Sequence, residues 1–308
     1  MKAAGETGTI PFLPTFMHAS GCMNPEIITS TIGFHLQQYH PVAGGDSNAC
    51  FYLRCREGVF FLKLKEADLY PALFQKEARG LAALKNTCTI SVPEVLATGE
   101  TNGYQYLLLQ WFERGAPAPV FWEQLGHSLA MLHRQPQAYF GWEEENYIGL
   151  LPQFNHRHNT WAEFYARERI EPLVRQLSDS GAFDAAVRYA ADRCYRQMAE
   201  IYPPEPAALL HGDLWSGNIM ALESGNPAFF DPAVYYGHRE MDLAMTLLFG
   251  GFHQRFYEAY HEVYPLPPGW EERMELSMNY PLLVHAVLFG GHYVQQASAV
   301  IKKWSSLV

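Results

Sequence analysis

Hydrophobic periodicity changes character near residue 112, and no other feature narrows the possible folds as much. From residue 24 to 112 the pattern is strand-rich, with short apolar runs separated by turn residues. Residues 25–39 are expected to open this region as a helix. Residues 51–54 and 59–64 read as a strand pair turning through Arg56, Glu57 and Gly58. Residues 70–85 put Leu73, Ala78, Leu81 and Leu84 on one helical face, and residues 104–111 carry a buried-strand pattern.

Beyond Gly115 long helical periods take over. Residues 121–133 repeat Trp122, Leu125, Leu129 and Leu132 at three- and four-residue spacing. Further helices are expected near 160–178, 182–202, 239–263 and 270–303, interrupted by a strand–loop–strand insert at 208–231. Charge divides the same way: residues 1–112 carry 8 basic and 9 acidic groups, residues 113–308 carry 14 and 23. The expected fold class is therefore α+β and bilobal. A small β-rich lobe over 25–112 would meet a larger helical lobe over 113–308 at a hinge near 110–115. Residues 1–24 lack periodicity, include alternative starts at Met17 and Met23, and are expected to be a disordered extension.

Composition excludes several functional classes. An apolar fraction of 48% with 14% aromatics is that of a globular chain, not a disordered one. A net charge of −10 argues against electrostatic nucleic-acid binding. The longest apolar run, 280–291, carries His285 and falls short of the roughly 18–20 residues that cross a bilayer. Five cysteines without a C-x-x-C pair favour reduced thiols, and a cytoplasmic location is expected.

The segment with most chemical content is His211-Gly212-Asp213-Leu214-Trp215-Ser216-Gly217-Asn218, a polar loop between the apolar pairs Leu209-Leu210 and Ile219-Met220. Asp213 and Asn218 have the D-x-x-x-x-N spacing of a kinase catalytic loop. A carboxylate there accepts the proton of an attacking hydroxyl, and the amide oxygen ligates a hard Mg²⁺. A second metal carboxylate should follow on the next strand, and Asp231 stands 13 residues on, after Phe229-Phe230. A turn rich in Asp, Gly, Ser and Asn is common by itself. The strand aspartate separates this loop from such a turn.

An ATP site needs further parts. Lys63 lies in the middle of the apolar run Phe60-Phe61-Leu62-Lys63-Leu64, where an unpaired charge is costly. Glu77 follows 14 residues later on the next helix, placed to hold the lysine against the α- and β-phosphates. Taken alone, Lys63 could equally guard an edge strand. Gly44 and Gly45 form a turn through which backbone N–H groups can approach phosphate, although the pattern is neither G-x-G-x-x-G nor a Walker motif. Backbone groups around Gln110 to Phe112 would reach adenine. The order of glycine turn, strand lysine, helix glutamate, D-x-x-x-x-N and strand aspartate is specific where each part alone is not. Arg239-Glu240-Met241-Asp242 opens a helix, and Glu240 or Asp242 reads as a structural brace for the catalytic loop. His156, Arg157 and His158 lack a zinc ligand pattern, and Ser128 and Ser216 lack a nucleophile elbow.

The loop His211–Asn218 resembles the signature of the fructosamine-kinase (ketosamine-3-kinase) family, a branch of the aminoglycoside-phosphotransferase and choline-kinase-like fold. Val92-Pro93-Glu94-Val95-Leu96, Asn146-Tyr147-Ile148-Gly149, and Asp231-Pro232-Ala233-Val234-Tyr235-Tyr236-Gly237-His238-Arg239-Glu240 extend the resemblance over roughly residues 25–300. Ser47 departs from the isoleucine usual before Asn48. The resemblance implies a protein-kinase-like fold and ATP- and Mg²⁺-dependent phosphorylation of the sugar 3-hydroxyl of ketosamines. The unstable 3-phosphate would then decompose and deglycate the amine. Asp213 would be the base; Lys63, Glu77, Gly44, Gly45, Gln110 and Phe112 would bind nucleotide; Asn218 and Asp231 would hold metal. His211 and Trp215 would meet a ketosamine, free or on a glycated protein lysine, and the protein would act as a monomer. An aminoglycoside- or choline-type phosphotransferase and a nucleotide-binding pseudoenzyme remain as alternatives.

Overall fold

A computed structural model describes residues 24–42 and 48–306. Gly44 and Gly45 lie outside the described residues, as do residues 1–23. The chain opens with α1 (Pro25–Thr31), capped by the Asn24 side chain, which accepts from the Glu26 N–H at 2.9 Å. The helix expected to reach 39 stops far short. Gly33 turns the backbone left-handed, and the following residues form β1 (Leu36–Pro41) instead. Pairing with β2 (Ala49–Cys55) decides this, and a local pattern does not record such a long-range partner.

β2 turns through Arg56 and Glu57 into β3 (Gly58–Glu66), as the spacing suggested. Then come α2 (Leu73–Asn86), β4 (Val95–Thr101) and β5 (Tyr104–Gln110). The five strands form one antiparallel sheet in the order β1-β2-β3-β5-β4. Alternation sorts its two faces. Leu62, Leu64 and Leu108 pack with Leu53 and Ile28 on one side. Leu107 and Leu109 pack on the other side with Leu73, Phe74, Leu81 and Leu84 of α2. Lys63, between Leu62 and Leu64 in sequence, must point to the second face, which leads to the interior cleft.

The remainder is mostly helical. α3 (Phe121–His133) has the boundaries its periodicity predicts, and β6 (Pro136–Gln137), β7 (Asn146–Ile148) and β8 (Leu151–Gln153) follow. α4 (Trp161–Phe164) runs through a π-helical stretch (Tyr165–Ile170) into α5 (Glu171–Asp179), and α6 (Ala185–Ile201) comes next. β9 (Ala207–Leu210), β10 (Ile219–Ala221), β11 (Pro227–Phe229) and β12 (Tyr235–Gly237) carry the catalytic segments, with β9 between β12 and β6 and β10 paired to β11.

The last two expected helices are each divided. Residues 239–263 form α7 (Glu240–Leu248) and α8 (Gln254–Val263), separated at Gly250 and Gly251, both at positive φ. Residues 270–303 form α9 (Trp270–Ser277), α10 (Asn279–Phe289) and α11 (His292–Trp304). Pro281 lacks the N–H that would have bonded back to Ser277, and Gly290-Gly291 turns the second corner. No helix among the described residues is long and apolar enough to cross a membrane.

Candidate active site

The catalytic loop leaves β9, all four residues of which are buried, so the loop starts from a fixed point in the core. Gly212 comes next at φ +82, and a Cβ there would lie 2.0 Å from the Ala233 carbonyl oxygen. Only glycine fits both conditions. Asp242, in the first turn of α7, accepts the backbone N–H groups of His211 at 2.8 Å and Gly212 at 2.9 Å. Its Oδ2 also stands 3.1 Å from His133 Nε2, and His133 Nδ1 lies 2.9 Å from the Tyr260 hydroxyl. Burial alone would raise the Asp242 pKa; the His133 bond and the converging donors outweigh it, and the net direction is down. Of the two acids at this helix start, Asp242 is therefore the brace. Glu240 serves elsewhere, in a buried pair with Arg273 at 2.6 Å.

His211 does not face substrate as the resemblance implied. It is fully buried, and its Nε2 donates to the Phe230 carbonyl at 2.8 Å. The ring ties the catalytic loop to the segment before Asp231, and burial lowers its pKa. Its apolar surroundings exclude it from the cleft: Phe229 stacks edge-on against it at 5.1 Å.

Asp213 lines a cleft of 530 Å³. Asn218 Nδ2 donates to both its backbone oxygen (2.8 Å) and its carboxylate Oδ2 (3.1 Å), so the two residues move as one. Burial pushes the Asp213 carboxyl up to about 7, with the Asn218 bond opposing. That value suits a group that must take a proton near neutrality.

Lys63 is 2% exposed and makes two ion pairs, to Glu77 at 2.7 Å and Asp231 at 2.6 Å. Burial alone would lower its pKa; the two carboxylates reverse this and keep the ammonium charged. Asp231 sits at φ 49, a left-handed backbone rare outside glycine. The strain is held from both sides. Phe230 donates its N–H to the Asn218 carbonyl at 3.0 Å while its own carbonyl receives His211.

A second cavity of 320 Å³ lies beside the first. Gln110 and Phe112 line it, together with Phe61 from the sheet and Ile219 from β10, which suits a flat aromatic ring held between lobes. Asn218, Asp231 and Trp215 border both cavities, so they stand where the two meet. Among the described residues, Asn218 Oδ1 and Asp231 Oδ2 accept no hydrogen bond. Two free hard oxygens at that junction match the donor set of Mg²⁺. Trp215 lies over Gly217 and is 38% exposed, with its ring edge toward Phe249 at 6.3 Å.

Sequence reasoning did not find His133 or Tyr260, whose bonds to Asp242 and to each other tie distant helices together behind the loop. Nor did it find the buried polar cluster behind the cleft. There Asn146 Oδ1 accepts from Gln153 and Asn155, and the Arg169 Nη2 donates to Asn155 at 2.7 Å. Asn146 lies in a segment that carries the family resemblance, but for Gln153, Asn155 and Arg169 the sequence signal is only the polar character of residues that the structure buries.

The comparisons with known proteins agree with this geometry. The fructosamine kinase family matches residues 26–306. A Synechocystis protein assigned as a ketoamine kinase is 41% identical over 281 residues, covering 90% of this chain and 94% of its own. The protein-ribulosamine 3-kinase, chloroplastic, of Arabidopsis thaliana is 35% identical, covering 89% of this chain and 85% of its own. A crystal structure from Thermobifida fusca, assigned as a fructosamine-3-kinase, superposes with a TM-score of 0.80 at 32% identity, covering 91% of this chain and 97% of its own. With a strand lysine paired to a helix glutamate in the larger cavity, an aspartate–asparagine loop whose Asn218 reaches the junction of the two cavities, and this match along nearly its whole length, the chain belongs to the fructosamine kinase family.

Proposed function

We propose that the protein transfers the γ-phosphoryl group of ATP to the sugar 3-hydroxyl of a ketosamine, and that loss of the resulting phosphate ester frees the amine. The observation that carries this reading is the position of Asn218 and Asp231 at the meeting of the two cavities, with Asp213 bonded to Asn218 on the side of the larger one. Nucleotide would occupy the smaller cavity, adenine against Phe61, Ile219 and the Gln110–Phe112 hinge. Lys63 would direct the α- and β-phosphates, with Glu77 fixing its ammonium. Asp213 would orient the sugar hydroxyl and take its proton as the new P–O bond forms and the bond to ADP breaks. Asn218 and Asp231 would hold Mg²⁺, which when bound neutralises charge on the phosphates. Trp215, at the border of both cavities, would pack on the sugar.

Cys55, Cys88 and Cys194 are free thiols, which supports a reducing, cytoplasmic setting.

The test is Mg²⁺-dependent ADP release with ribulose-lysine, fructose-lysine and kanamycin as acceptors, run beside Asp213→Ala. Turnover of a ketosamine that vanishes in the variant is the expected result. Activity on kanamycin alone would move the protein to an aminoglycoside chemistry. ATP binding with no turnover on any acceptor would leave a pseudoenzyme.

A further inference from the structure

The larger cavity continues well past the catalytic loop, between two helix faces. α7 contributes Met241 and Met245, with its C-cap residue Phe249 one turn further on, and α10 contributes Pro281, Val284, His285, Leu288 and Phe289. Residues four apart share one side of a helix, so these sets form two continuous walls. Tyr293 of α11 closes the far end.

Rings run along these walls in contact. Phe249 lies 4.9 Å from His285, which lies 5.5 Å from Phe289 and 5.0 Å from Tyr293. Phe249 is 38% and Phe289 55% exposed, so a contiguous aromatic surface faces the opening. Such surfaces next to a cleft are binding surfaces. The corner behind Phe289 is built for this. Gly290 and Gly291 sit at φ 65, ψ −143 and φ 61, ψ −133, a region reserved for glycine, and they return Tyr293 to within 6.4 Å of Phe289.

Charge is segregated in the cavity. Its Lys63, Lys76, Glu77, Asp213 and Asp231 all belong to β3, α2 and the catalytic segments. The α7, α10 and α11 walls contribute no carboxylate, lysine or arginine. His285 Nδ1 bonds the Pro281 carbonyl at 2.8 Å, and burial lowers its pKa, so the imidazole is neutral. These walls therefore offer no lysine or arginine to pair with the carboxylate of a free amino acid. In a ketosamine the amine sits on C1, two carbons from the carbon that bears the 3-hydroxyl. With that hydroxyl at Asp213, the amine and its substituent extend away from the reacting atoms. Ring faces attract the protonated amine, and the apolar walls bury what it carries.

We propose that Phe249, Phe289 and Tyr293 form the site for the amine substituent, and that it selects ketosamines whose amine bears an apolar or aromatic group over those of free amino acids. This rests on the kinase reading above. The experiment compares kcat/KM for the 1-deoxy-ribulose adducts of methylamine, phenethylamine and lysine. The phenethyl adduct should exceed the methyl adduct by about tenfold, roughly what burying one phenyl ring contributes. It should also exceed the lysine adduct. In Phe289→Ala and Tyr293→Ala the phenethyl-to-methyl ratio should fall to about 1–3, as that buried area is lost. Equal values for methyl and phenethyl adducts in the wild type, a preference for lysine, or an unchanged ratio in both variants would overturn the proposal. Calorimetric titration with the phenethyl adduct separates the two readings, because it needs no turnover. Binding that weakens in Phe289→Ala without any ADP release would keep the aromatic site and sink the kinase reading. Absence of binding to wild type would sink the site itself.

Discussion

Asp242 and His211 are 31 residues apart in sequence, yet the Asp242 carboxylate takes the His211 backbone N–H at 2.8 Å. The helix that carries this carboxylate also supplies a wall of the larger cavity. Cavity wall and loop position thus share one element.

Removing that carboxylate leaves two backbone donors and His133 Nε2 without a partner in a buried site. Asp242→Ala should cost about 2–4 kcal/mol of stability. It should also lower kcat by roughly 100-fold through misplacement of Asp213. The sign of its pH dependence is fixed as well. A carboxyl whose folded pKa is lowered contributes stability present above its unfolded pKa and lost as pH falls through the folded one. Denaturant melts between pH 7 and 3 should therefore show wild-type stability falling in the acid range more steeply than that of Asp242→Ala.

Asp213 has the opposite sign. Its carboxyl is raised to about 7, so the ionised form is disfavoured in the fold, and stability is lost as pH rises from the unfolded value through 7. Asp213→Asn should abolish phosphoryl transfer yet melt higher than wild type at pH 8. The gain should be about 2–4 °C for each kcal/mol of relieved desolvation. The gain should shrink toward zero as pH falls to 4. A variant that melts lower than wild type at pH 8 would contradict this account.

Lys63 neutralises two carboxylates in a buried site. Lys63→Met should lose activity, and it should also lose about 3–5 kcal/mol, because Glu77 and Asp231 are left facing each other. Adding Glu77→Gln should restore part of the stability and none of the activity, a non-additive pair measurable by a double-mutant cycle.

Asn218 has two roles that separate kinetically. Its amide clamps Asp213, while its free oxygen faces the cavity junction. Asn218→Ala should raise the Mg²⁺ concentration for half-maximal rate by about tenfold or more. EDTA should silence both proteins. An unchanged Mg²⁺ requirement would show that the oxygen does not touch the metal.

The sequence by itself carried the chemical parts and their order. Lys63 in an apolar strand, Glu77 on the next helix and Asp213 with Asn218 are local patterns, as is Asp231, although it stands two residues past the end of its strand rather than on it. Each is set by which face of one element must be buried, and α3 was legible for the same reason. Tertiary structure alone decided where those parts look. His211 turned inward because Phe229 and the Phe230 carbonyl surround it, and no neighbour in sequence reports that. The opening helix gave way to β1 because a strand partner 10 to 19 residues away offered its backbone. The long helices broke at Gly250-Gly251 and Gly290-Gly291, where the bends carry Phe249, Phe289 and Tyr293 to one cavity. Periodicity records how much of a side chain is buried, whereas contacts between distant elements determine what it is buried against.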